Sequence, residues 1–276
     1  MKLFLVFILL SQLSFGQSAK SHGTLISAAI CKDGILFYSD SRAAWFADSA
    51  GLTSVYAYTD SIKKIFPIGK FHIGIAGSGQ LIDDTWGAII GDFNKSDKIK
   101  SDDALLTFRN FYTYIKKRFV IEDSIIFSNY YCIAGYEEER PIVLTIREGK
   151  LNTNREIGQV FYSEPQADMF RLGFLKTNRL FDSSVDQTIK MMDLIYRSAY
   201  RQVDYMGGPI YSLKIQPKSK VVELTTFKPL VFKTYSDYER AILDGRVKVE
   251  YESRFNWAKQ RLFELLRKDL NISESN

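Results

Sequence analysis

The hydroxyl of Thr24 stands at the start of the apolar run Thr24 to Cys31, directly after Gly23. Such a hydroxyl is a poor nucleophile and attacks only with a base beside it. Asp40 and Arg42 close the run Ile35 to Asp40, which returns after Lys32-Asp33-Gly34, and two lysines, Lys63 and Lys64, precede Ile65-Phe66. Each of these has a plain structural reading. Threonine is at home in a strand, and Asp40-Ser41-Arg42 can be a turn closed by a salt bridge. Metal chemistry has few ligands to draw on. The only histidines are His22 and His72, the only cysteines Cys31 and Cys132, and no CxxC occurs. No metal or other cofactor is therefore expected. Both cysteines lie in apolar, strand-like runs and read as buried small hydrophobes.

The elements that must position these groups follow from periodicity and turn signals. Thr24 to Cys31 and Ile35 to Asp40 pair as a hairpin around Lys32-Asp33-Gly34. Residues 43–62 carry Asp, Ser, Gly and Thr and read as an exposed connection. A second hairpin joins Lys64–Ile68 to Phe71–Ala76 through Gly69-Lys70, with Pro67 marking an edge or a bulge. Lys63 and Lys64 are neighbours on opposite faces of the strand, so one alone can reach Thr24. Helices are expected over Leu81–Phe93 and Ala104–Phe119, the latter N-capped by Ser101. Strands return at Ile126–Ala134, Pro141–Ile146 and Gln159–Tyr162. A helix over Val185–Arg201 and a hairpin of Ile210–Ile215 with Val221–Phe227 come next, and the tail from Tyr238 to Leu270 is mainly helical. Antiparallel hairpins with helices in pairs make an α+β domain of stacked sheets with helices outside.

Three stretches together resemble the proteasome β-subunit family: Thr24 to Arg42, Asp60 to Phe66, and Ile73 to Gly79. Asp40 lies 16 residues after Thr24 and Arg42 two further, as in that family. The resemblance is strong over 23–80, extends in element order to about 227, and stops there. It implies a four-layer αββα sandwich of N-terminal-nucleophile hydrolases, followed by a C-terminal helical extension. It also implies roles. Cleavage at Gly23-Thr24 would free the Thr24 amine, whose reference pKa of about 7.7–8.0 suits it to take the hydroxyl proton through a water. Lys64, the lysine directly before the apolar-Phe pair, would lower the proton affinities of amine and hydroxyl, and Asp40 would orient and neutralise it. Arg42 would hold the hairpin end. The Gly77 N–H would stabilise the oxyanion. Ala43, Ile62 and Ile75 would line an apolar substrate pocket, which Trp45 or Phe46 could narrow. Asp204 would assist, although Met206 stands where a serine is expected and Leu25 where threonine is frequent.

Composition bounds the rest. Hydrophobic residues make up 46% and charged residues 25% of a chain with net charge +5, too small and dispersed for a nucleic-acid partner. Met1-Lys2, the apolar Leu3 to Leu10 and the small Ser14 and Gly16 read as a secretory signal cut after Gly16. Its short apolar block falls well below the ~20 residues of a stable membrane anchor. The expected divisions are 1–16 signal peptide, 17–23 propeptide, 24–235 hydrolase domain and 236–276 extension. The expected protein is an exported, periplasmic or secreted threonine peptidase acting on peptides or unfolded proteins. It would be a homo-oligomer, with rings of six or seven subunits as in relatives. An amidase or acylase using the same nucleophile, and a non-catalytic ring subunit, are the alternatives.

Overall fold

The computed structural model describes residues 25–49, 52–78, 80–96, 101–163, 183–200, 206–225 and 227–272. The first hairpin is β1 (Ile26–Cys31) with β2 (Gly34–Ser39), in register from Ile26 against Ser39 to Cys31 against Gly34. Every residue of both strands is buried, a pattern that needs cover on both faces. β3 (Arg42–Ser49) and β4 (Leu52–Asp60) make a second, longer hairpin with a bulge at Trp45 and Phe46. β5 (Ile65–Ile68) and β6 (Phe71–Ala76) form the third, and Pro67 lies in an edge strand where its missing N–H is harmless.

Leu81 to Thr85 is not helical. β7 (Gln80–Leu81) and β8 (Asp84–Thr85) form a small hairpin there, and Thr85 then caps α1 (Trp86–Lys95) by accepting from the Ala88 N–H. α2 (Ala104–Phe119) is capped by Asp103, which accepts from Leu106, and not by Ser101, whose hydroxyl is engaged with the Asp103 backbone. α3 (Asp123–Phe127) is a short helix where the strand at Ile126 was expected to begin. It precedes β9 (Tyr130–Glu137), β10 (Arg140–Arg147), β11 (Lys150–Asn154) and β12 (Val160–Tyr162). α4 (Val185–Tyr200), β13 (Tyr211–Gln216), β14 (Lys220–Glu223), α5 (Tyr235–Leu243), β15 (Glu250–Tyr251) and α6 (Ala258–Asp269) follow.

The molecule is α+β, with antiparallel sheets. One five-stranded sheet runs β12-β1-β2-β13-β14 and another β11-β10-β9-β6-β5. Ile26, Ala28, Ile30 and Phe37 of the first sheet share a core with Cys132, Ala134 and Val143 of the second. Ala29, Cys31, Leu36 and Tyr38 face the other way, onto Val185, Met192 and Tyr196 of α4. The outer face of the second sheet packs Ile73 and Ile75 against Trp86, Ile89 and Phe93 of α1 and Phe108 and Phe111 of α2. Both cysteines are buried and free.

The expected exposed connection at 43–62 is the largest departure. β4 pairs with β3 on one side and β15 on the other, in a three-stranded sheet. Trp45, Tyr56 and Ala57 are buried against Tyr238, Ile242, Leu262 and Leu266 from α5 and α6. Trp45 therefore turns into a core, stacked on Tyr238, and does not narrow the cavity described below. The sequence near 48–54 is polar, and the apolar partner of the base of this hairpin lies almost 200 residues away in sequence. No local pattern could reveal that partner.

Candidate active site

Asp40 is the centre of the site. It ends the β1–β2 hairpin with 0% exposure, and four donors surround its carboxylate. Oδ1 accepts from the Leu25 N–H at 2.9 Å and from Lys64 Nζ at 2.7 Å. Oδ2 accepts from the Gly207 N–H at 3.2 Å and the Arg42 N–H at 3.3 Å. Lys64, 6% exposed, also donates to the Arg42 carbonyl at 2.5 Å. Burial dominates at both groups. It pushes the Asp40 carboxyl up, against the pull of Lys64 and the backbone donors, and pushes the Lys64 ammonium down, against the charge of Asp40. The two charges survive in this dry place because each has the other, and removing one would strand its partner.

Lys63, which like Lys64 precedes β5, also lines the cavity described below but does not bond Asp40. Its ammonium lies 5.0 Å from the centroid of the Tyr211 ring. Arg42 holds the hairpin end through Asp60, which accepts from Nε at 2.8 Å and from Nη2 at 2.9 Å, while the guanidinium stacks 3.6 Å over Tyr58. Gly207 lies against this fork so closely that a Cβ would come within 2.5 Å of Arg42 Cζ. Here the absent side chain is what lets the Gly207 N–H reach Asp40.

Gly77 follows β6 with φ +124, a conformation that favours glycine, and a Cβ there would meet Asn129 Oδ1 at 2.6 Å. Lys64 and Gly77 open onto one cavity, about 710 Å³ including its mouth, whose lining also holds all three expected pocket residues, Ala43, Ile62 and Ile75. The structure thus brings together Asp40, Arg42, Lys64, Gly77, Ala43, Ile62 and Ile75. Gly23, Thr24 and Asp204 lie outside the described residues. Met206 is buried in the cluster that holds Leu25 and Tyr196, so an apolar contact stands where a serine was expected.

Sequence reading missed Asp60 as the partner of Arg42 and the aromatic part of the lining: Phe66, Trp86, Phe232, Tyr235 and Tyr238. The charge of Asp60 two residues before Ile62 was a usable signal. Nothing local marks Phe232 or Tyr235.

The solved structure of an Anbu (Gly-1) mutant from Hyphomicrobium sp. strain MC1 superposes with TM-score 0.51 at 14% identity, covering 90% of this chain and 98% of that one. A second structure, Anbu from the same strain, gives 0.50 at 14% identity, covering 91% and 99%. The chain has the fold of Anbu. No protein-family model matches it, and no curated protein does. The expected membership of the proteasome β-subunit family, as an exported branch, is thereby corrected. The motifs behind that expectation cover only 23–80, in the hairpins around Asp40 and Lys64. The Anbu likeness spans nearly the whole chain. At 14% identity it speaks to fold and not to activity.

Proposed function

We propose that this chain is a threonine-type peptidase, activated by cleavage at Gly23-Thr24, with the Thr24 hydroxyl as nucleophile. One observation carries the reading: a single oxygen, Asp40 Oδ1, holds both the Leu25 N–H and Lys64 Nζ, beside an apolar cavity that Gly77 also lines. On this reading Thr24, bonded to Leu25, works beside the buried ammonium. The freed α-amine takes the hydroxyl proton, and Lys64 favours both in their deprotonated forms. Asp40 keeps Lys64 aimed, Arg42 locks the hairpin end, and the Gly77 N–H receives the developing oxyanion. A scaffold subunit would need none of these groups buried together.

The same reading places α4 and the α1–α2 pair outside two stacked sheets, a four-layer αββα sandwich spanning 24–235, with 236–276 as an extension. Asp204 assists at the site. Met1 to Gly16 acts as an export signal, so that peptides or unfolded chains outside the cytoplasm are the substrates, and the protein works as a homo-oligomer. The experiment is intact-mass measurement on exported wild type and Thr24→Ala. Wild type is expected to begin at Thr24 and the variant at Gln17; a wild-type mass beginning at Gln17 removes self-activation and the mechanism with it. Light scattering on the same preparations checks assembly, and a stable monomer counts against it.

A further inference from the structure

Residues 230–235 run as a strap between two loops that flank the cavity, and both ends are tied. At one end the Leu230 N–H donates to the Ser61 carbonyl at 2.6 Å, and the Lys63 N–H donates to the Leu230 carbonyl at 3.3 Å. At the other, the Thr85 hydroxyl donates to the Phe232 carbonyl and the Thr85 N–H to the Lys233 carbonyl at 3.3 Å, while the Tyr235 N–H donates to the Asp83 carbonyl at 2.6 Å. The first tie lies just before Lys64 and the second just before Trp86. Between them Leu230, Val231 and Phe232 line the cavity in succession. The strap also rests on α1: a Cβ on Gly87 would meet Val231 Cγ1 at 3.2 Å.

The lining cations are all engaged elsewhere. Lys64 is held by Asp40, Arg42 by Asp60, and the Lys63 ammonium lies over Tyr211. An acidic side chain entering the cavity would lose water with only Lys63 not already held by a carboxylate, and a basic one would meet cations. Ile62, Phe66, Ile75, Trp86 and Phe232 offer apolar and aromatic faces instead.

We propose that the strap Leu230–Tyr235 is the specificity element of this site, admitting one bulky apolar side chain, aromatic or branched aliphatic, whose outer face packs on Val231 and Phe232. The occupant's identity as a substrate side chain rests on the peptidase reading; the selection itself does not.

The test uses the full chain and the N-acetyl amides of Phe, Leu, Ala and Glu, with binding followed by ligand-detected NMR titration that also checks that each amide stays intact. Wild type is expected to rank Phe and Leu above Ala, and Ala above Glu. Phe232→Ala should weaken the Phe amide about tenfold while barely changing Ala. Gly87→Ala, whose Cβ would press on Phe66 Cε1 at 2.9 Å as well as on Val231 Cγ1 at 3.2 Å, should narrow the cavity from both and move the preference from Phe towards Leu and Ala. Phe232→Trp adds volume and should do the same, so it keeps the test open if Phe232→Ala fails to fold. An unchanged ranking in the folded variants, Glu binding as well as Phe, or no amide binding to wild type at millimolar concentration would each overturn the proposal. Thr24→Ala should keep the wild-type ranking. If it does while wild type hydrolyses no peptide, the strap stands and the peptidase reading falls.

Discussion

The Asp40–Lys64 corner and the cavity wall beside it touch, yet different forces and different reaches of sequence build them. The corner comes from neighbouring hairpins: Lys64 and Asp40 are 24 residues apart, and charge with backbone donors holds them. The wall is closed from far away, since Thr85 meets the Phe232 carbonyl across 147 residues, and its contacts toward the cavity are apolar. The candidate chemistry is therefore written mostly locally, with Gly207 as a remote donor to Asp40, and the candidate selectivity largely remotely. A change in the strap or its supporting helices can alter what enters without disturbing Asp40 and Lys64. The corner has no such freedom, because each buried charge depends on the other as its ion-pair partner.

The sharpest break of this comparison is to remove one charge. Lys64→Ala leaves the Asp40 carboxylate buried and uncompensated, and is expected to cost about 3–5 kcal/mol of stability along with any peptidase activity. The double variant Asp40→Leu with Lys64→Met replaces both charges by apolar groups of similar bulk. It should recover most of that stability and none of the activity. Urea unfolding of the three chains decides it. If the double variant is as unstable as Lys64→Ala, the pair is not the self-compensating unit described here.

A second test lies in the support behind the wall. Glu239 of α5 is buried, and burial, with Asp269 and Asp83 nearby, pushes its carboxyl up to about 8. Its ordinary value is 4.5. Between these two values the folded chain holds more protons than the unfolded one, so this group makes stability fall as pH rises through that window and level off above it. Glu239→Gln should remove that part of the slope, melting higher than wild type at pH about 9 and little differently at pH about 4. Equal pH dependence in the two chains would show that Glu239 is not neutral in the fold.

The division between local and remote also explains what could be read from the sequence. Asp40, Arg42, Lys64 and Gly77 sit at or beside hairpin ends that turn residues and alternation made legible, but their grouping, and that of Ala43, Ile62 and Ile75, was legible only through the family resemblance over 23–80. The hairpin β3–β4 was hidden because its polar tip resembles a loop and the α5–α6 partner of Trp45 and Tyr56 is remote. α1 began later than its apolar spacing indicated because Leu81 to Thr85 is drawn into a small hairpin whose carbonyls and carboxylates hold the start of α5. Asp103 displaced Ser101 as the cap of α2 because Ser101 was already bonded to the Asp103 backbone.

The smallest expected effect is the most discriminating. Thr234 opens α5 with a capping box, its hydroxyl accepting from the Asp237 N–H at 3.0 Å while the Asp237 carboxylate accepts from the Thr234 N–H at 3.3 Å. Neither residue lines the cavity. Thr234→Ala should cost about 1 kcal/mol, too little to unfold a domain of this size. It loosens the turn that presents Phe232 and Tyr235, and leaves every donor to Asp40 in place. If selectivity is set by the strap, the discrimination between Phe and Ala amides should shrink in this variant, while the rate on a short peptide with Ala before the cut bond stays near wild type. If the corner and the wall were instead one rigid unit, loosening the cap would slow that Ala peptide as much as it weakens the Phe amide. The comparison needs only titrations and initial rates on two folded chains, and parallel losses would end the separation of chemistry from selectivity argued here.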